Sequence, residues 1–327
     1  MSKIALVTGG SGFVGGRLIE RLVANGWSVR ALARSPQSRK AVIERGAEAF
    51  EGDLSDATSI SIAMAGCTTV FHIAALFKLW GKPEEFEQVN VDGTRLLVDV
   101  AKVSGTVRRF IQLGAAAVVM GDMTPIISAD ETLPTYERNW AAYSASKARS
   151  EAIVLGANRS GLFETLVIRP PMIWGKGMPT LGHMVKQVQS SQFRWVGDGM
   201  QGMSIAHVDN VCQAVELAVE HGQGGQAYFV SDERDTTLKQ FISDLLKTQQ
   251  VNPPKASVPL PIAWFMAGRM EWVWRTFKLS GEPPITRQML RLIGTTFTLD
   301  ISKAKHELGY TPVVTYEQGL TAMQSNK

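Results

Sequence analysis

Cysteine is scarce. The 327 residues hold only Cys67 and Cys212, far apart and in no metal-ligand spacing. No metal site is expected, and the two thiols read as small buried groups in a reducing compartment. Long apolar runs are lacking as well. No stretch reaches the ~18 apolar residues that a bilayer span needs. The chain passes straight into Ile4-Ala5-Leu6-Val7 without a basic segment ahead of a long apolar one. Neither a signal peptide nor a membrane span is expected, and the reading is a cytoplasmic protein. Also missing is any dense Lys/Arg cluster interleaved with aromatics, so nucleic-acid binding is not expected although the net charge is +4 and the pI is about 9.0. An anionic cofactor would account for part of that excess. Repeats and low-complexity segments are absent too. With 45% hydrophobic and 20% charged residues, the chain fits one large globular domain or two unequal ones.

What is present is an alternation of short apolar runs with helical patterns. Strands are expected over Lys3–Val7, Ser28–Ala33, Ala47–Glu51, Thr69–Ala74, Arg109–Leu113 and Glu164–Arg169. Helices are expected between them over Gly12–Asn25, Arg39–Arg45, Ser55–Met64, Glu84–Ser104 and Trp140–Asn158. Strands separated by helices in this rhythm pair in parallel, which predicts an α/β fold with a Rossmann-type doubly wound sheet. After Pro170-Pro171 the pattern becomes irregular, broken by later proline pairs. His207–Glu220 still reads as a helix and Ala227–Val230 as a strand. Residues 1–170, with 203–232 returning to them, are therefore expected to form a dinucleotide-binding domain. Residues 171–202 and 233–327 are expected to form a smaller, discontinuous substrate-binding domain.

Two motifs carry chemistry. In Thr8–Gly15, Gly9, Gly12 and Gly15 stand between a strand and a helix. Their missing side chains allow a tight turn, close approach of backbone to a pyrophosphate, and close helix–strand packing. Phe13 and Val14, at the helix start, offer free N–H groups there. At the tip of the second strand Ala33 occupies the place of the carboxylate that would bind the ribose 2′-hydroxyl of NAD, and Arg34 follows. A cation there suits a 2′-phosphate, which favours NADP over NAD. Asp53, before Leu54, would accept from an adenine amino group or cap the next helix.

The second motif is Tyr143-Ser144-Ala145-Ser146-Lys147. On a helix its Tyr and Lys share a face. A phenol with a pKa near 10 is a poor base at neutral pH, and a neighbouring ammonium would lower that value. Tyr143 would exchange a proton with a substrate oxygen, while Lys147 tunes it and holds a ribose hydroxyl.

With these residues the chain resembles the extended short-chain dehydrogenase/reductases over nearly its whole length. Thr8–Gly15 resembles their TGxxGxxG loop, and His72-Ile73-Ala74-Ala75 their fourth-strand segment beside the cofactor. Asn90–Thr94 resembles their NVxGT helix motif. Arg169–Gly175, with Pro170 and Ile173, resembles the RPxxVYG segment near the nicotinamide, and Ile205–Val211 the HVDDV stretch. Ala75–Trp80 and the tail segments Pro283–Thr286, Phe297–Asp300 and Glu307–Tyr310 are most similar to the branch of 3β-hydroxysteroid dehydrogenases, dihydroflavonol-reductase-like proteins and hopanoid-associated reductases. The resemblance implies an NADP-dependent oxidoreductase that interconverts a secondary alcohol and a ketone. By family analogy it also implies a homodimer through the helices at 84–104 and 140–158.

One departure stands out. The family places a Ser or Thr at the end of the fifth strand, where this chain has Ala115 or Ala116. Another donor, a water or Ser144, would have to serve, or turnover would be weak and the protein an NADP binder. A natural and an engineered alanine are indistinguishable in the sequence. Val258–Leu279 is rich in Trp, Phe and Met, which reads as a core helix, a lid over a bulky apolar substrate, or a peripheral membrane contact. Leu76, Phe77, Trp80, Met172 and Trp174 are expected to line that pocket together with Ala115 and Ala116. A sugar-nucleotide epimerase or dehydratase is the alternative of the same fold. His72 and His207 show no carboxylate partner in the sequence and read as packing residues.

Overall fold

The alternating pattern becomes, in a computed structural model describing residues 3–324, a layered α/β fold. Its first half runs β1 (Ile4–Thr8), α1 (Phe13–Ala24), β2 (Ser28–Ala33), α2 (Pro36–Ile43), β3 (Glu48–Glu51), α3 (Ala57–Met64), β4 (Thr69–His72), α4 (Pro83–Phe86), α5 (Gly93–Val103), β5 (Arg109–Leu113), β6 (Ile126–Ala129), α6 (Ala142–Gly156) and β7 (Glu164–Arg169). Side-chain caps set several helix starts. Ser35 and Ser38 form a reciprocal box ahead of α2, with Pro36 at its first position. Asp56 accepts from the N–H groups of Thr58 and Ser59 at the start of α3. The long helix expected over 84–104 is interrupted by a π-turn at Glu87–Asp92.

The second half is more regular than its prolines suggest. It runs β8 (Met172–Trp174), α7 (Thr180–Gln189), β9 (Trp195–Val196), β10 (Gly202–His207), α8 (Val208–Glu220), β11 (Gln226–Phe229), β12 (Asp235–Thr237), α9 (Leu238–Thr248), β13 (Ser257–Val258), α10 (Leu260–Thr276), α11 (Arg287–Ile293), β14 (Phe297–Leu299) and α12 (Tyr316–Met323).

Seven parallel strands form the main sheet in the order β11-β7-β5-β4-β1-β2-β3. Both faces are covered. Ala5 and Val7 of β1 point into one apolar cluster with Leu18 and Leu22 of α1 and Val211 and Val215 of α8. Leu6, between them, points into the other with Ile60 of α3, Leu97 of α5 and Val154 of α6. That alternation within near-continuous apolar strands is what a buried parallel sheet requires. The strand order reverses between β1 and β4, so a crevice opens at the carboxyl ends of these strands.

A second sheet, β12-β10-β14-β6 with β8 on β10, stands beside this crevice. It shifts the expected boundary: β10 belongs to this smaller sheet, and the return to the main one begins at α8 rather than at 203. Trp174, Trp195, Phe241 and Tyr316 form its core. Above it lie α10 and α11. Among the described residues no helix is long and apolar enough to cross a membrane.

The turn after β1 is the tightest point of the fold. A Cβ on Gly15 would lie 2.2 Å from the carbonyl oxygen of Gly9. Gly15→Ala must therefore push helix and loop apart, and we expect a loss of about 1–3 kcal/mol in unfolding free energy, read from the midpoint of a urea titration.

Candidate active site

Gly9 adopts φ +71°, and a Cβ there would lie 2.7 Å from the Ala74 nitrogen. The Gly9 carbonyl accepts from the Gly12 N–H at 3.0 Å. This closes the turn and aims the start of α1 at the crevice. Gly12 caps α1 without any side-chain bond, so the first-turn amides of Phe13, Val14 and Gly15 have no intrahelical acceptor. Donors of this kind at a helix N-terminus fit a pyrophosphate. At the tip of β2, Ala33 is buried. The Arg34 side chain is 78% exposed and pairs only loosely with Asp53, at 3.6 Å. Asp53 does not cap α3, a role that Asp56 takes. It accepts instead from the N–H and hydroxyl of Ser55. Burial alone would raise its pKa, but these donors and Arg34 hold it below the usual carboxylate range. Leu54 is half-buried, its side chain within van der Waals reach of Gly93 at the start of α5.

Behind the crevice runs a buried polar chain whose directions can be deduced. The Ala74 N–H donates to Thr8 Oγ1 at 3.2 Å. Thr8 Oγ1 and His72 Nδ1 are 2.8 Å apart, as are His72 Nε2 and Thr94 Oγ1. Thr94 spends its proton on the Asn90 carbonyl at 2.6 Å. His72 must therefore donate from Nε2 to Thr94 and accept from Thr8 at Nδ1. Burial, aided by Lys147, lowers its pKa to about 3. A neutral imidazole with both nitrogens engaged is a strut, as the sequence reading held for His72. Asn90 continues the chain. Its Oδ1 accepts from the Leu76 N–H at 2.7 Å, and its Nδ2 donates to the Leu76 carbonyl and to Ser146 Oγ. Ser146 in turn donates to the carbonyl of Tyr143 at 2.8 Å.

Tyr143 opens the first turn of α6, its phenol half-buried and edge-on to Phe77, with centroids 5.0 Å apart. Lys147 is buried one turn later. Its ammonium donates to the Leu113 carbonyl at the end of β5, at 2.6 Å. The expected tuning of the tyrosine takes a different form in this arrangement. Burial alone pushes the Tyr143 phenol up, with no opposing contribution from Lys147. Burial also lowers Lys147 to about 8, against the pull of Glu151. The reason is desolvation: Lys147 is buried and Tyr143 is packed against Phe77, and the lysine's bond to Leu113 does not offset it. Tyr143 is thus held as a protonated donor at neutral pH.

Ala115 and Ala116 are buried where the strand-five hydroxyl was sought. Ser144 shares a face of α6 with Lys147, Ala148 and Glu151. That face meets the end of β5 and β7, through Lys147 to Leu113 and Glu151 to Arg169. Ala148 packs in one cluster with Ala116 and Val118. The Ser144 hydroxyl is buried and has no hydrogen-bond partner.

The other expected residues separate into two groups. Ala74 lies against Gly9, and Ala75, Leu76, Phe77 and Trp80 follow in the segment held by Asn90. Pro170 accepts from the Ala116 N–H, and Ile173 and Met172 are half-buried in β8. Trp174 is a correction. It is fully buried, its indole N–H donates to Asp232, and its ring packs on His207, Phe241 and Tyr316. It is a core residue because β8 turns it away from the crevice into the second sheet. His207 does have a carboxylate nearby, Asp209 Oδ2 at 3.7 Å, but that group is claimed by Arg17.

Gln288, Arg287 and Arg291, which the sequence reading passed over, complete the surroundings together with the 258–279 segment. Gln288 accepts from the Tyr143 N–H at 3.5 Å and donates to the Lys78 carbonyl. Trp140 meets Trp264 of α10 edge-on at 5.5 Å. Arg275, Arg287 and Arg291 lie over the rings of Trp80, Trp264 and Trp140. The aromatic 258–279 segment therefore packs on Trp140 and Trp80 through Trp264 and Arg275. Its outer face leaves Phe265, Trp272 and Phe277 exposed.

The state of Lys147 has a measurable consequence. Its folded pKa lies below its unfolded value, so between about pH 8 and 10.5 the unfolded chain binds more protons. The Lys147 contribution therefore makes stability rise with pH across that window. Urea unfolding of wild type and Lys147→Met at several pH values should show the wild type gaining on the variant from pH 8 upward.

Known proteins match this arrangement. The model of the 3-beta hydroxysteroid dehydrogenase/isomerase family matches residues 6–262. A 4-hydroxy-2-methyl-3-oxo-4-farnesyl-3,4-dihydroquinoline-1-oxide ketoreductase of Stigmatella aurantiaca is 37% identical, over 97% of this chain and 95% of its own. A decarboxylating sterol-4-alpha-carboxylate 3-dehydrogenase of Dictyostelium discoideum is 33% identical, over 97% and 99%. A 2-alkyl-3-oxoalkanoate reductase of Stenotrophomonas maltophilia is 31% identical, over 98% of each. Among solved structures, that of gox2253 superposes with a TM-score of 0.80 at 30% identity, over 98% of this chain and 96% of its own. A UDP-glucose 4-epimerase of Thermotoga maritima reaches 0.76 at 21% identity, over 98% and 97%, a likeness of fold. The chain belongs to the 3-beta hydroxysteroid dehydrogenase/isomerase family, and with it to the oxidoreductases that act on hydroxyl and keto groups.

Proposed function

We propose that this protein is an NADP-dependent oxidoreductase that interconverts a secondary alcohol and a ketone on a bulky apolar molecule, with Tyr143 as its acid/base. The observation that carries the reading is the place of Tyr143. Its ring stands half-buried and edge-on to Phe77 at the start of α6, three residues after Trp140, which meets Trp264. The names of the full-length relatives, a ketoreductase and a sterol dehydrogenase, support the same reading.

When bound, the nicotinamide would supply or accept the hydride. The protein's own work is on the proton and the oxygen. In reduction Tyr143 gives its phenolic proton to the carbonyl oxygen as that carbon gains the hydride. In oxidation the phenolate takes the hydroxyl proton as the carbon loses it. Lys147, whose ammonium is tied to the Leu113 carbonyl at the end of β5, would hold a ribose hydroxyl. The unpartnered Ser144 hydroxyl is the donor we assign to the substrate oxygen in place of the absent strand-five serine. A sugar-nucleotide epimerase reading rests on likeness at 21% identity, and the apolar wall of Phe77, Trp140 and Trp264 speaks against so polar a substrate.

Two experiments test this. With NADPH and a ketosteroid, or oxidised NADP and the matching hydroxysteroid, Tyr143→Phe should lower kcat by about 10²–10⁴. Ser144→Ala should lower it by about 10²–10³, with cofactor binding kept in both. Full activity of the Tyr143→Phe protein would sink the mechanism. Full activity of Ser144→Ala would return the oxygen-binding role to another donor.

Cofactor choice is read separately. Arg34, exposed and loosely paired, is assigned to the 2′-phosphate. Arg34→Ala should weaken NADPH binding about 10–10²-fold, the worth of a charged hydrogen bond, and leave NADH nearly unchanged. Equal loss for both cofactors in a fluorescence titration would refute the assignment.

A further inference from the structure

Helix α11 carries a cation with nothing to bind. Arg291 is 1% exposed, yet Nε, Nη1 and Nη2 all lack a hydrogen-bond partner. Its guanidinium lies 5.7 Å from the centre of the Trp140 ring. Among the described residues Asp122 and Tyr136 are the acidic groups that influence it, and neither bonds to it. Asp122 is exposed and accepts from the Thr124 N–H instead. Burial lowers the Arg291 pKa to about 10, which leaves it charged at neutral pH. Buried guanidinium groups are ordinarily paired, because an unpaired buried charge is strongly unfavourable. An anion that arrives from outside would supply the missing partner.

Its position says what kind of anion. Gln288 and Arg291 are one turn apart on α11 and share a face. Gln288 bonds the backbone N–H of Tyr143, and Arg291 stacks on Trp140, three residues before that tyrosine. The cation therefore stands beside the chain segment that leads into Tyr143, against the ring of Trp140. Exclusion of water there strengthens any charge pair. A planar guanidinium matches a carboxylate through two parallel bonds.

We propose that Arg291 recognises a carboxylate borne by the substrate on the carbon next to the one that is oxidised or reduced. The substrate class is then a hydrophobic 3-oxo or 3-hydroxy acid. This rests on the oxidoreductase reading above and narrows it. Two relatives have names with this geometry: a sterol-4-alpha-carboxylate 3-dehydrogenase and a 2-alkyl-3-oxoalkanoate reductase. The long apolar part would lie along Phe77, Trp80 and Trp264.

The test compares a 2-alkyl-3-oxoalkanoate with its methyl ester on the NADPH-loaded protein, by calorimetry and by NADPH oxidation. The acid should bind and react about 10–10²-fold better than the ester, in line with a charge-assisted bidentate pair. Arg291→Met should erase that preference, and Arg291→Lys should restore part of it. Acid and ester handled alike by the wild type, or a preference that survives in Arg291→Met, would overturn the assignment. The wild-type comparison decides even if the variants do not fold. Binding of the acid over the ester without any NADPH oxidation would keep the carboxylate site and count against the redox reading. Equal reduction of both would do the reverse.

Discussion

The carboxamide of Asn90 is the fixed point of this site. It is buried, and its oxygen and both amide hydrogens are engaged. Three pieces of chain meet on it: the π-turn ahead of α5, the segment after β4 at Leu76, and α6 through Ser146. The segment brings Phe77, and α6 brings Tyr143, so the distance between wall and acid is set by one side chain. Buried and fully satisfied polar networks are worth more than their separate bonds, and a half-satisfied one is costly. The chain runs on through Thr94 and His72 to Thr8, which ties the same point to the turn of the glycine loop. The glycine loop and Tyr143 are thereby tied into one hydrogen-bonded frame.

Set against that frame, the unsatisfied groups acquire meaning. Most buried polar atoms here have partners, as the cost of desolvation demands. The Ser144 hydroxyl and the guanidinium of Arg291 do not. Both lie close to Tyr143, in chain or across the contact of α11 with the start of α6. The ring of Trp140 gives Arg291 a face to lie on without neutralising it, since a ring attracts a cation but cannot accept its N–H bonds in the ring plane. The structure thus combines one satisfied network that sets geometry with a few buried donors left without partners.

Much of the frame was legible in the chain. The period of apolar residues gave strands such as Arg109–Leu113 and Glu164–Arg169 with the boundaries observed. Tyr143 and Lys147 were readable from helical spacing, and Gly15 from its place between strand and helix. Other features were not legible. Trp174 looked like a pocket residue, because a large aromatic in a cofactor segment carries no mark of which way its strand turns it. Gln288 and Arg291 carried no signal at all, since they reach Tyr143 and Trp140 from the far end of the chain. Asp53 and Asp56 each suit a cap, and only the start of α3 decided between them.

The sequence by itself determined the doubly wound sheet, the glycine turn, the Tyr143/Lys147 pair and the absence of a strand-five hydroxyl. Each is a local pattern, imposed by periodicity, by backbone sterics or by the identity of one residue. Only the tertiary structure decided how far that pair is desolvated. Desolvation depends on everything packed around a group, and here it raises the phenol and lowers the ammonium. The tertiary structure alone also set α11 against α6, leaving a buried cation and a free hydroxyl beside the tyrosine. Long-range packing, not spacing along the chain, turned a familiar dyad into a particular site.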